Sequence, residues 1–94
     1  MAWVLVRHKV KDYLKWRPVF DGSRAVLKES GAKRGHVFSS ASDPNDLVIL
    51  LEWDTLEKAR QFMQSDRLRR EMEHAGVVGT PDVCYLDELE KPSL

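Results

Sequence analysis

The sequence predicts an α+β domain running strand–helix–strand–strand–helix–strand, and three observations carry that reading. A partly alternating run rich in β-branched residues occupies Ala2 to Val10. Apolar residues recur at helical spacing from Trp16 to Leu27 and again from Leu56 to Ala75. Between those regions, two strand-like runs flank the turn chemistry of Ser42-Asp43-Pro44-Asn45-Asp46.

Each element follows from its residues. In the first strand Val4, Val6, His8 and Val10 share one face, and Trp3, Leu5, Arg7 and Lys9 the other. Asp12 is placed to cap a helix that presents Trp16, Val19, Phe20, Ser23, Val26 and Leu27 inward and ends at Gly31. Pro18 lacks an N–H, so it is expected to kink this helix or to mark its true first turn. His36 to Ala41 and Leu47 to Trp53 read as an antiparallel hairpin.

Asp54 with Glu57 resembles a capping box, opening a helix with Leu56, Ala59 and Met63 inside and Phe62 beside them. Ser65 is placed to cap a further helix with Leu68, Met72 and Ala75 inward, ended by Gly76. Arg67, Arg69, Arg70, Glu71 and Glu73 fall mainly on its solvated side. Asp82 to Leu89 then makes the last strand. One domain is expected over residues 1–90, followed by a short polar tail at 91–94. This βαββαβ order, with an antiparallel sheet and helices on one face, is the ferredoxin-like plait, a fold that hosts many unrelated functions.

The run Leu47-Val48-Ile49-Leu50-Leu51 is apolar on both faces, whereas a sheet covered on one side only alternates. Two helical regions are too few to cover both sides, so a second copy meeting the open face of the sheet is the expected partner. At 94 residues the chain buries only about two-thirds of its unfolded surface, and a homodimer interface adds to that.

Fifteen basic and fifteen acidic side chains balance to a formal charge of zero, which speaks against nucleic acid as a partner. Arg34-Gly35-His36-Val37-Phe38 resembles the start of an RNA-recognition strand. Its aromatic positions fall at His36, Phe38 and Ala41, on the second strand instead of the third. No apolar segment is long enough to span a bilayer, no signal peptide is evident, and Cys84 is the one cysteine, so a cytoplasmic protein is expected.

Two side chains are candidate catalytic bases. His8 lies on the apolar face of the first strand, where a neutral imidazole would accept a proton from a phenol or enol; the alternative is a core histidine satisfied by a carbonyl or carboxylate. Glu52, on the face of Val48 and Leu50, either serves as a second base or pairs with Arg7, across strands or across the dimer. Tyr13, Trp16, Phe20, Phe38, Trp53, Phe62 and Met72 are candidate linings for an aromatic pocket, or else plain core. His36 is expected to be exposed, and His74 to sit at a helix C-terminus where the dipole favours it. The three histidines lack zinc-ligand spacing, so no metal is expected.

Val6-Arg7-His8-Lys9-Val10 leads into Asp12-Tyr13, then Trp16 and Phe20-Asp21. Asp43-Pro44-Asn45, Glu52-Trp53-Asp54, Ala59-Arg60 with Phe62, and the Ser65 to Ala75 helix running into Gly76-Val77 follow. On these residues the chain resembles the antibiotic-biosynthesis-monooxygenase-like group of dimeric α/β barrel proteins. The resemblance implies two plaits packed sheet against sheet, a cavity between sheet and helices in each subunit, and a phenolic or aromatic small molecule as ligand. It also implies either cofactor-free oxygenation or binding without turnover. A heme-degrading relative would carry an asparagine on the first strand, a tryptophan in the second helical region and a ligand histidine in the next helix. This chain offers Arg7 and His8, Phe62 and Met72 there. His74 stands roughly 200° around the helix from Met72, so no heme is expected.

Overall fold

A computed structural model describes all residues, 1–94. The elements run β1 (Ala2–Val10), α1 (Tyr13–Gly22), α2 (Arg24–Ser30), β2 (Ala32–Ser40), β3 (Asp43–Trp53), α3 (Leu56–Met63), α4 (Asp66–His74) and β4 (Val77–Asp87). The strands form one open antiparallel sheet in the order β2-β3-β1-β4. This is the ferredoxin-like α+β arrangement. No helix is long and apolar enough to cross a membrane.

The first helical region is two helices. Asp12 caps α1 by accepting from the Leu14 N–H at 3.0 Å, so the helix starts before Pro18 and carries it inside. The carbonyl that Pro18 leaves without a donor belongs to Leu14, an exposed residue that water reaches. The break comes instead at Ser23, whose hydroxyl turns back to donate to the Val19 carbonyl at 3.0 Å. Gly31, at φ 117°, closes α2 and turns the chain straight into β2. That strand therefore begins at Ala32 rather than His36, with a register shift between Ala32 and Arg34.

Other boundaries move for local reasons. The β2–β3 reversal is made at Ala41 and Ser42, and Pro44 lies in β3 beyond Asp46, the last residue of that strand paired with β1. Thr55 caps α3, accepting from the Lys58 N–H at 3.1 Å, while Asp54 pairs with Lys33 at 3.3 Å and Lys58 at 3.4 Å. Ser65 caps α4 as the spacing predicts. The last strand starts at Val77 and ends at Asp87. Gly79, Thr80 and Pro81 bulge out of it, because the β1 pairing steps from Lys9↔Val78 to Arg7↔Asp82.

Helices cover one face of the sheet. Val4, Val6, Ile49, Leu51 and Trp53 pack there against Trp16, Leu27, Ala59 and Ala75, and Val4, Leu47 and Trp53 have no exposure. The other face is bare. Strand register puts Trp3, Leu5, Val48, Leu50, Phe38 and Leu86 on it. At its margin Arg7 grips Asp46 with two prongs, Nε to Oδ1 at 3.2 Å and Nη2 to Oδ2 at 2.8 Å. That guanidinium holds the Asp46 carboxyl below its usual range.

Candidate functional site

The β-bulge in β4 falls opposite His8, which pairs with Leu47 of β3 and has no partner residue in β4. Strand alternation carries the His8 side chain to the helix-covered face, where it is 6 % exposed. Neither ring nitrogen has a hydrogen-bond partner. Burial pushes its pKa below the ordinary 6.5, so the ring is neutral at pH 7. Trp16 meets it edge-on, with ring centroids 6.1 Å apart and planes at 77°. The core-histidine alternative, in which a carbonyl or carboxylate satisfies the ring, is not what this environment provides.

His8 borders a cavity of about 80 Å³ between the sheet and the helices. The sheet contributes Val6, Ile49 and Leu51, α1 and α2 contribute Trp16, Val19, Phe20, Val26 and Leu27, and α3 and α4 contribute Phe62, Met63, Leu68 and Met72. Ser23, Glu71 and Arg67 supply its remaining polar lining. The Ser23 hydroxyl lies 3.4 Å from Glu71 Oε2. The space is about half the ~150 Å³ of an apolar cavity known to hold one benzene. It accepts water as it stands and accepts an aromatic ring only if its walls give.

The site residues expected from the sequence divide into three places. His8, Trp16, Phe20, Phe62 and Met72 meet at the cavity. Tyr13 and Trp53 lie outside it: Tyr13 stacks on Trp16 with centroids 5.9 Å apart, and Trp53 is sealed in the core against Phe62 at 5.4 Å. Phe38 and Glu52 stand on the bare face, because their register partners Val48 and Trp3 point there. Phe38 is 52 % exposed and stacks on His36, which in turn stacks on Trp3. Glu52 pairs not with Arg7 but with Arg34, at 2.9 Å from Nε to Oε1 in a geometry that makes no hydrogen bond.

Sequence reasoning missed Glu71 and Arg67 as cavity residues by assigning them to solvent. The signal was present in the ends of the elements. Ser23 breaks the first helical region, and Glu71 comes from α4 to meet it. Only the packing of α4 against that break brings the two together.

An open antiparallel sheet with helices on one side and a buried histidine at a small apolar cavity defines the class: a ferredoxin-like α+β protein with a sheet–helix cavity. Solved structures with this fold match the chain along nearly its whole length, and many are antibiotic biosynthesis monooxygenase proteins. One is SnoaB, a cofactor-independent oxygenase from Streptomyces nogalater, at TM-score 0.77 and 14% identity over 96% of this chain and 94% of that one. A proposed antibiotic biosynthesis monooxygenase from Bordetella bronchiseptica matches at TM-score 0.78 and 13% identity, over 95% of this chain and 97% of its own. A further antibiotic biosynthesis monooxygenase matches at TM-score 0.72 and 15% identity, over 96% and 100%. At such identities the likeness is one of fold. No protein-family model matches the chain, and no curated protein matches it in sequence.

Proposed function

We propose that the chain is a cytoplasmic, homodimeric, cofactor-independent monooxygenase-like protein that acts on a small phenolic molecule, with His8 as the base. Residues 1–90 serve as its one domain and 91–94 as a tail. The observation that carries this reading is His8 itself: a buried neutral imidazole with both nitrogens unpartnered, beside an apolar cavity. A phenol or enol entering there finds a neutral imidazole as proton acceptor in a mostly apolar space, with Ser23, Arg67 and Glu71 as its other polar lining. The likeness to SnoaB supports the reaction class.

Taking an anthrone in its enol form as the example, His8 removes the hydroxyl proton and leaves charge delocalised onto the ring carbon. That carbon passes one electron to dioxygen, and the radical pair combines into a carbon–oxygen bond as a peroxide. Imidazolium returns the proton to the peroxide, which loses water as the carbon gives up its remaining hydrogen. One oxygen atom ends in the new carbonyl and the other in water. All four electrons come from the substrate carbon. His8, Trp16, Phe20, Phe62 and Met72 touch the ligand in this scheme, with Tyr13 and Trp53 supporting them from behind. Phe38 and Glu52 belong to the dimer contact instead, since they stand on the bare face.

The dimer rests on that face. Its exposed apolar side chains form a row across the strands, and the Trp3 indole Nε1 there is buried without a hydrogen-bond partner. A second sheet laid across it brings an acceptor for that N–H and covers the apolar row.

Oxygen uptake with anthrones and hydroquinones tests the reaction. Wild type is expected to consume oxygen and His8→Ala to lose most of that activity; equal rates would remove His8 from the mechanism. A second reading, binding without turnover, draws on a specific feature. Nothing fixes the tautomer or orientation of His8, as an effective base requires. It predicts a raised melting temperature with the same compounds and no oxygen consumed.

A further inference from the structure

We infer a second binding site: a groove between the α1–α2 pair and β2 that takes an anionic aromatic molecule, ring against α1 and negative group on a stripe of basic side chains. The groove measures about 510 Å³, inside the roughly 300–1,000 Å³ range of small-molecule sites and far larger than the His8 cavity. One wall is aromatic. Tyr13, Trp16 and Phe20 follow each other along α1 in near-parallel stacks, with centroids 5.9 and 4.9 Å apart and interplanar angles of 26° and 15°. Trp16 is buried in the middle of the row, so the half-buried Tyr13 and Phe20 supply the accessible apolar edge for a further ring.

The floor is Gly35 and Leu51, with the leucine filling the space that a side chain at 35 would take. A Cβ there would stand 2.6 Å from Leu51 Cδ2, so that leucine reaches up to the bare β2 backbone. The rim carries the charge. Arg17, Asp21, Arg24 and Lys28 recur at helical spacing on the groove side of α1 and α2. Asp21 is shared loosely between Arg17 at 3.7 Å and Arg24 at 3.6 Å, and Lys28 has no carboxylate within ion-pair distance. Lys33 and Arg34, also at the groove, are occupied by Asp54 and Glu52. The stripe therefore holds three cations against one anion, in a chain whose total charge is zero. That local excess selects a carboxylate or sulfonate over a neutral ring. Trp16, Phe20, Leu27 and Leu51 line both spaces, so the groove and the His8 cavity share a wall.

Isothermal titration of the full chain with 2-naphthoate and 2-naphthol tests this site. Naphthoate is expected to bind at least ten-fold more tightly, with that advantage shrinking as salt rises. Amide shifts on naphthoate addition should fall on Gly35 and Val37. Replacing the exposed cations in an R24Q/K28Q variant should erase the preference and leave the circular dichroism spectrum unchanged. His8→Phe should leave naphthoate binding intact, which separates this site from the cavity and from any failure of the oxygenase reading. Equal affinities for the two probes, or an R24Q/K28Q variant that keeps the preference, would overturn the inference.

Discussion

On the helix-covered face of the sheet Val4, Leu47 and Trp53 have no exposure, whereas on the opposite face Phe38 is 52 % and Leu86 39 % exposed. Along the middle of β3 the two surfaces are similarly apolar, with Leu47, Ile49 and Leu51 alternating with Val48 and Leu50. They differ in what covers them. The covered face holds two side chains with unpartnered polar atoms, His8 beside space and Trp53 in the packed core; the bare face holds one, Trp3, under exposed hydrocarbon. The contrast separates two meanings of an unpaired buried polar group. His8 faces an internal cavity and fits a ligand; Trp3 faces outward and fits a partner.

The largest test of that contrast is Trp53→Ala. Removing a fully buried indole that packs on Phe62 should cost about 3–5 kcal/mol in denaturant unfolding without any tendency to alter association. Next comes the other face. Leu50→Glu, between Leu5 and His36 in the register, should convert a dimer to single chains in light scattering while far-ultraviolet dichroism is kept. A wild type that already scatters as a single chain would break the comparison.

Third is the pH dependence of His8. Its folded pKa lies below the unfolded value of 6.5, so below about pH 6.5 the unfolded chain binds more protons and stability falls. Above that pH the ring contributes no slope. His8→Phe should flatten the acid limb of a melting-temperature profile between pH 4 and 6.5, and an unchanged limb would mean that other groups set it. The smallest effect is a control that touches neither face. Thr55→Ala removes the α3 cap and should cost about 1 kcal/mol by urea unfolding, with oxygen uptake and association unchanged.

Element order, the two-sided character of β3 and the caps at Asp12 and Ser65 were legible in the sequence, because periodicity and capping are local. The split at Ser23 was not. It depends on a hydroxyl choosing its own helix carbonyl, and Pro18 offered a louder breaker that an exposed helix surface tolerates. Early starts for β2 and β4 were hidden because Gly31 and the Gly79–Pro81 bulge read as loop, yet each lets pairing begin at once. Of the candidate site, His8 and Trp16 followed from alternation and helical spacing. Phe38 reads as a pocket lining and Glu52 as a second base, yet both stand on the face opposite His8, since residue type alone does not record which way a strand turns its side chains. Glu71 escaped because a charged residue on a helix reads as solvated until a second helix closes over it.

Gly35 and Leu51 have a consequence beyond this chain's own stability. A Cβ at 35 would stand 2.6 Å from the leucine, so the two positions draw on a single shared volume. Descendants of the same ancestor should therefore change them together. An alanine or larger residue at 35 should travel with valine or alanine at 51, and a lineage keeping leucine at 51 should keep glycine opposite it. Position 35 then serves as a historical marker of how far the floor beneath β2 has been filled in.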